Sequence, residues 1–155
     1  MTTFKNYLCT TLLLFVTATM AAQANGQDKI RLKDYQWKNR LILAFSPSAE
    51  DKGYRAFAKD IALQAEEVID RDLLVFHILE TGEIRLGETS LPTGSGNYLR
   101  ESFSILPGRF TVLLIGKDGG VKLRREGGVE LGEIFSLIDS MPMRQREMRE
   151  KSQQR

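Results

Sequence analysis

Ser48 and His77 are the two side chains of this sequence that could supply a nucleophile and a base. Ser48 follows an apolar segment and precedes a helical pattern, and His77 is the single histidine of the chain. A serine acts as a nucleophile only when a base lies within hydrogen-bond reach. His77 lies inside a second apolar segment, which predicts a position away from the exposed end of a strand. We therefore expect Ser48 to cap a helix and His77 to be a hydrogen-bonded residue of the core or of a sheet face.

Glu50 and Asp51 are neighbouring carboxylates that invite an acid–base or a metal-binding interpretation. At the start of a helix, however, negative side chains are expected because they interact favourably with the helix dipole. A metal site needs more ligands than one histidine and scattered carboxylates supply. The sequence therefore predicts no catalytic residue, no metal site and no cofactor. The two carboxylates also disfavour an anion site at this helix end.

The first 24 residues have the three regions of a cleavable secretory signal peptide. Lys5 is the only charge before Asp28, Tyr7–Val16 is mostly apolar, and an Ala-Gln-Ala site ends at Ala24. The apolar run is too short to span a membrane, which takes about 20 residues. We predict cleavage after Ala24, with cleavage after Ala22 as the alternative. The mature chain would then be exported, periplasmic or secreted, without a transmembrane anchor.

Cys9 is the only cysteine of the 155-residue chain, and the predicted cleavage removes it. The remaining 131 residues carry 21 basic and 20 acidic side chains, a net charge of +1. No strong global field follows, so the sequence predicts no binding to nucleic acid. The mature chain would also have no disulfide and no thiol chemistry of its own.

The C-terminal segment, from Arg144 to Arg155, carries five basic and two acidic residues. Such a segment could contact anionic glycans, lipid headgroups or a protein partner, and the alternative is a solvated helix end. We divide the mature chain into a domain at 25–148 and a polar tail at 149–155. The candidate basic residues of the tail region are Arg144, Arg146, Arg149, Lys151 and Arg155.

Two kinds of apolar pattern predict the elements that position these residues. Unbroken apolar runs predict buried strands at Leu41–Phe45, Leu73–Leu79 and Phe110–Ile115, and a Gly-rich turn predicts a return strand at Val121–Arg124. Apolar residues three and four apart predict a long helix after Ser48, a short one at Tyr98–Phe103 and another from Val129 to Met141. The first two strands should be parallel and the last two antiparallel. The predicted fold is α/β, a thioredoxin-like mixed sheet flanked by helices.

Three segments resemble the family called domain of unknown function 4174. They are FTVLLIGKDGGVKLRREGGVELGEIFSLIDSMPMRQREM from Phe110 to Met148, RLILAFSPSAED, and DRDLLVFHI. The resemblance covers about Leu32 to Met148. It implies a thioredoxin-like, peroxiredoxin-related domain, found in small exported bacterial proteins and in extracellular matrix proteins of animals. It implies a fold and a compartment rather than an activity.

A thioredoxin-like fold implies a cleft between the start of the first helix and the loop before the third strand. A cysteine there would have a lowered pKa because of the helix N-terminus, but the segment Ser46–Lys52 contains none. The facing loop lacks the expected proline, since Pro107 comes too early. Its arginine could still bind an acidic or phosphate-like group. The candidate cleft residues are Ser48, Glu50, Asp51, Arg109, Phe110 and Thr111.

Three functions fit these observations. The first is an exported, non-catalytic binding or scaffold module for an unknown protein or anionic ligand. The second is a redox accessory or enzyme that depends on a partner and uses the cleft at the first helix. The third is a polyanion-binding or adhesion protein that acts through the basic C-terminal tail.

Overall fold

The computed structural model describes residues 29–92 and 94–154. The predicted signal peptide and the basic residue Arg155 lie outside the described residues. Within the described part, no helix is both long enough and apolar enough to cross a bilayer.

A single mixed sheet organises the described residues. Its strands are β1 (Arg40–Ser46), β2 (Leu73–Leu79), β3 (Ile84–Leu86), β4 (Thr89–Ser90), β5 (Thr111–Ile115) and β6 (Val121–Glu126), in the order β4-β3-β2-β1-β5-β6. β1 runs parallel to β2, with Leu43 opposite Phe76, and antiparallel to β5, with Leu43 opposite Leu113. All seven residues of β1 are buried, as expected of an unbroken apolar strand at the centre of a sheet. The predicted mixed sheet is thus confirmed.

Three helices cover the first face of the sheet. They are α1 (Lys52–Leu63), α2 (Ala65–Asp70) and α4 (Leu131–Asp139), and they bury Phe57, Val68 and Ile134 against Val75 and Leu114. The prediction of one long helix after Ser48 is wrong. Gln64 leaves helical geometry with φ −116° and ψ 32°, which separates α1 from α2. Apolar residues continue with the same spacing across this break, so periodicity alone does not reveal it.

The second face is covered by α3 (Gly94–Ser102) and by a short 3-10 helix at Leu32–Tyr35. Leu99 and Tyr35 pack there against Phe76 and its neighbours. The sequence predicted that α3 begins at Tyr98, but it begins four residues earlier. The added first turn contains Gly96, where a Cβ would lie only 2.7 Å from the carbonyl oxygen of Gly82. A residue without a side chain lets the helix lie directly against the turn that follows β2.

α5 (Pro142–Gln153) follows α4 after a short break. Pro142 occupies the first turn, where a missing N–H costs the helix nothing. The helix continues through Gln153, so it extends beyond the domain boundary placed after residue 148. α5 packs at the edge where the parallel strands β1 and β2 begin, which we call the amino end of the sheet. The opposite edge, where both strands stop at Ser46 and Leu79, is the carboxyl end.

Candidate functional site

The segment between β1 and α1 forms a tight turn at the carboxyl end of the sheet. Ser46 Oγ donates to the carbonyl oxygen of Ser48 at 2.7 Å, and Ser48 Oγ accepts from Glu50 N at 3.2 Å. The helix cap is Asp51, whose Oδ1 accepts from Tyr54 N at 2.8 Å. The prediction that Ser48 caps the helix is therefore wrong. The turn uses residues 47–50 before the helix starts, and this shifts the cap three residues along the chain.

Phe110 forms the opposite wall of the predicted cleft and meets the first turn of α1. A Cβ on Gly53 would lie 3.1 Å from Phe110 Cδ1 and 3.3 Å from Asp51 Oδ1, so the aromatic ring and the capping carboxylate both lie beside Gly53. The Phe110 ring centroid is 6.1 Å from that of Tyr54 and 5.8 Å from that of Phe57. The fold thus brings Asp51 and Phe110 together, and the ring of Phe110 joins the core.

The other predicted cleft residues differ in exposure. Thr111 is buried within the sheet, where it pairs with Phe45 and Glu126. Arg109 is exposed, and its Nη1 lies 3.0 Å from Glu126 Oε2. Glu50 is exposed on the turn before α1. Among the predicted cleft residues, Glu50 and Arg109 are thus exposed, and Ser48 and Asp51 are partly exposed.

His77 lies on the first face of the sheet, half-buried beneath α1. Its ring packs edge-on against Tyr54, with centroids 5.7 Å apart, and Arg85 is its cross-strand partner on β3. Nδ1 is buried and makes no hydrogen bond within the described residues. Burial lowers the pKa of His77, and the charge of Arg85 lowers it further, so the ring is neutral at pH 7. The sheet-face position was predicted, but a hydrogen bond to Nδ1 is missing among the described residues.

Arg100 is a feature of the carboxyl end that sequence reasoning missed. Its Nη2 donates to the carbonyl oxygens of Ser46, at 2.6 Å, and Ile78, at 3.2 Å, so it bridges the ends of β1 and β2. The guanidinium also lies over Phe45, 5.6 Å from the ring centroid. The residue is only 9% exposed. An arginine in a short, polar, glycine-rich segment carries no sequence signal for such burial.

A groove of about 500 Å³ opens beside the first turn of α1. It lies between α1 and the chain that leads from β6 into α4. The groove is lined by both charges: Arg125 and Glu133 form an ion pair on the β6–α4 side, and Asp60 and Glu130 add further carboxylates. The groove adjoins Gly53 and therefore continues the surface of the predicted cleft.

The basic C-terminal residues do not form one exposed surface. Arg144 is 4% exposed and donates to Asp70 O at 2.7 Å and to Asp139 Oδ1 at 3.1 Å, and it also pairs with the Asp70 carboxylate. Lys151 pairs with Asp70 as well. Hydrogen bonds from Lys151 and Arg144 lower the pKa of Asp70 to about 2. Of the basic tail residues that the structure describes, Arg146 and Arg149 are exposed and have no ion pair there.

The sheet order and the helices on both faces define a domain of thioredoxin-like architecture. A reduced 2-Cys peroxiredoxin of Plasmodium vivax superposes with a TM-score of 0.57 at 11% identity, covering 76% of this chain and 85% of that one. The exposed lipoprotein thioredoxin Etrx1 of Streptococcus pneumoniae gives a TM-score of 0.51 at 18% identity, over 72% of this chain and 91% of that one. At these identities the likeness establishes the fold alone.

The chain belongs to the family described as Domain of unknown function (DUF4174), whose model matches residues 31–147. This confirms the family predicted from the sequence. A zebrafish (Danio rerio) protein, coiled-coil domain-containing protein 80, is 29% identical over 133 residues. That match covers 76% of this chain but only 15% of the zebrafish protein, so the chain corresponds to a small part of that relative.

Proposed function

We propose that this thioredoxin-like domain is an exported binding module that acts without thiol chemistry of its own. The observation that carries the proposal is the turn between β1 and α1. The segment Ser46–Lys52 contains no cysteine, and the only cysteine of the chain is Cys9. A helix N-terminus lowers the pKa of a thiol, but here no thiol is present to benefit.

The neighbouring side chains support the same proposal. The Ser48 hydroxyl accepts a hydrogen bond from Glu50 N, and His77 packs against Tyr54 rather than against Ser48. A nucleophilic serine would need a base in contact with its hydroxyl. The turn is thus built from backbone-directed hydrogen bonds.

The partner surface in this proposal is the carboxyl end of the sheet. Glu50, Leu106 and Arg109 are exposed there, with Leu106 at 52%, and the mixed-charge groove beside Gly53 continues the surface. Loops at the end of a rigid sheet commonly carry binding residues. The basic-tail alternative has weaker support, because Arg144 and Lys151 are already paired with carboxylates.

The first experiment tests compartment and thiol chemistry together. The protein is purified from its native host, and mass spectrometry determines its first residue, which we expect to be Asn25. Peroxide reduction and insulin-disulfide reduction are then measured with dithiothreitol as donor. We expect rates equal to the background without protein. Turnover by the purified chain would contradict the proposal, and a Cys9→Ser variant would show whether the leader cysteine caused it.

The second experiment locates the binding surface. A photo-crosslinking amino acid is placed at Glu50, at Arg109 or, as the matched control on α5, at Arg146, and each variant is expressed in the native host. We expect the same crosslinked species from positions 50 and 109 and none from 146. Crosslinking from 146 alone would favour the basic-tail alternative. Redox activity that appears only when the crosslinked partner is added would favour the redox-accessory alternative.

A further inference from the structure

Four arginines are buried in the described part of the chain, and one of them differs from the others. Arg40 pairs with Glu147, Arg71 with Glu67 and Asp139, and Arg144 with Asp70 and Asp139. Arg100 has no carboxylate within ion-pair distance among the described residues, and its guanidinium donates only to two backbone carbonyls there. A buried cation without a counter-charge is costly to a fold.

The fold holds this arginine in place from two sides. Gly96 lets α3 lie against the turn at Gly82, and Arg100 follows Gly96 by about one helical turn, so the two residues share a helix face. Phe45 supports the guanidinium from below at 5.6 Å. Two donor groups are left over. Nε is buried and unpartnered, and Nη1 makes no hydrogen bond within the described residues.

We propose that Arg100 is the cation of a binding site for an anionic oxygen group, a carboxylate or a phosphate, at the carboxyl end of β1 and β2. Such a group would accept a charge-assisted hydrogen bond from Nη1, the unused donor that is not fully buried. It would also supply the counter-charge that the other three buried arginines already have. This inference rests on the proposed binding function and names the chemistry recognised at the same end of the sheet.

The charges around Arg100 set the strength of this site. Burial lowers the pKa of Arg100 and Glu80 partly opposes that effect, so the arginine remains cationic at neutral pH but weakly hydrated. Glu80 is the carboxylate whose charge acts on Arg100, and its Oε2 accepts from Gly108 N at 3.1 Å. Glu50 and Asp51 lie at the start of α1, which covers the first face of the sheet, whereas Arg100 comes from α3 on the second face. The proposed site is therefore separate from the helix end that the two carboxylates occupy.

The test is an anion titration of the purified full chain followed by amide NMR. Sodium phosphate and sodium acetate are each compared with sodium chloride at equal ionic strength. We expect saturable shifts at Ser46, Ile78, Glu80 and Gly108 with phosphate, with acetate or with both, and the anion that saturates identifies the group recognised. Arg100→Met should weaken binding about tenfold or more. Glu80→Gln should tighten it about threefold, because it removes the competing charge.

Arg146→Met is the matched control, since this exposed arginine lies on α5 at the amino end. It should bind the anion as the wild type does. If Arg100→Met fails to fold, Glu80→Gln and Arg100→Lys keep the test decisive, because a structural role for Arg100 predicts no anion response in any variant. Absence of saturation in the wild type, or equal binding by wild type and Arg100→Met, would overturn the proposal. Thiol turnover would contradict the proposed function and leave this titration unaffected, so the two failures are distinguishable.

Discussion

The two ends of the sheet handle buried positive charge in opposite ways. At the amino end, Arg40 and Arg144 are almost fully buried and each donates to carboxylates on other elements. At the carboxyl end, Arg100 is similarly buried but donates to the backbone of β1 and β2. The buried arginines of the amino end are thus paired with carboxylates of the same domain, whereas the carboxyl end has a buried arginine without a paired carboxylate beside exposed loops.

This difference separates a structural role from a binding role. The ion pairs of the amino end join α5 to the start of the sheet, because Glu147 of α5 pairs with both Arg40 and Lys117. Their partners are complete, so a ligand would have to break existing pairs to bind there. The carboxyl end lacks such partners, and a ligand that brings an anion would gain rather than replace an interaction.

The largest expected effect follows from removing the shared carboxylate of the amino end. Asp139 accepts from Arg71 at 2.6 Å and from Arg144 at 3.1 Å. Asp139→Ala would remove a carboxylate partner from each of these two buried guanidinium groups. We therefore expect the free energy of unfolding to fall by about 3 kcal/mol. The measurement is urea unfolding at pH 7.

The control for that variant is Glu133→Ala on the same helix. Glu133 pairs with Arg125, and the two side chains are 43% and 48% exposed, so the loss should stay below about 1 kcal/mol. Equal losses of unfolding free energy in the two variants would show that the buried ion pairs of the amino end stabilise the fold no more than an exposed pair does.

The second prediction concerns the placement of Arg100 at the carboxyl end. Gly96→Ala adds a Cβ that would meet the carbonyl oxygen of Gly82 at 2.7 Å, which forces α3 away from the turn. We expect a loss of about 2 kcal/mol, as for an overpacked core, and a weaker anion response because the guanidinium moves. The control is Gly132→Ala in α4. A Cβ there meets nothing within 4 Å, so the change should be neutral or stabilising by about 0.5 kcal/mol.

The third prediction uses pH to test the amino end. The pKa of Asp70 is lowered from 3.8 to about 2. A lowered pKa in the folded state means stability that is fully present above about pH 4 and is lost as the pH falls towards 2. Asp70→Asn should therefore lower the free energy of unfolding at pH 7 by roughly 1.5 kcal/mol, a value reduced for partial exposure. It should also flatten the acid limb of the stability curve. If the free energy of unfolding depended on pH in the same way for the variant and the wild type, Asp70 would not contribute to the loss of stability in acid.

The sequence predicted β1, β2, β5 and β6 and the parallel pair because these depend on local apolar runs and turn residues. It did not predict the short strands β3 and β4, which lack such runs. The family followed from the resemblance of whole segments. The bounds of β2 agree with the predicted Leu73–Leu79. The charged contacts were not predictable in the same way, since Arg144 and Asp70 are 74 residues apart and no local pattern links them. Arg100 was missed for the same reason, because the carbonyls it binds lie 54 and 22 residues away. Local patterns therefore describe the sheet well and its two ends poorly.

The smallest predicted effect concerns the turn beside the proposed binding surface. Asp51 caps α1 through Tyr54 N, whereas Ser48 accepts only from Glu50 N within the turn. Asp51→Ala should lower the free energy of unfolding by about 1 kcal/mol, the usual value for a lost cap, and Asp51→Asn should largely restore it. Ser48→Ala should cost less than about half of that, because no helical N–H depends on its hydroxyl. All three variants should keep the anion response, since Arg100 and its carbonyl partners are unchanged. A larger loss from Ser48→Ala than from Asp51→Ala would return the cap to Ser48. It would also mean that the Ser48 hydroxyl, and not the Asp51 carboxylate, holds the start of α1.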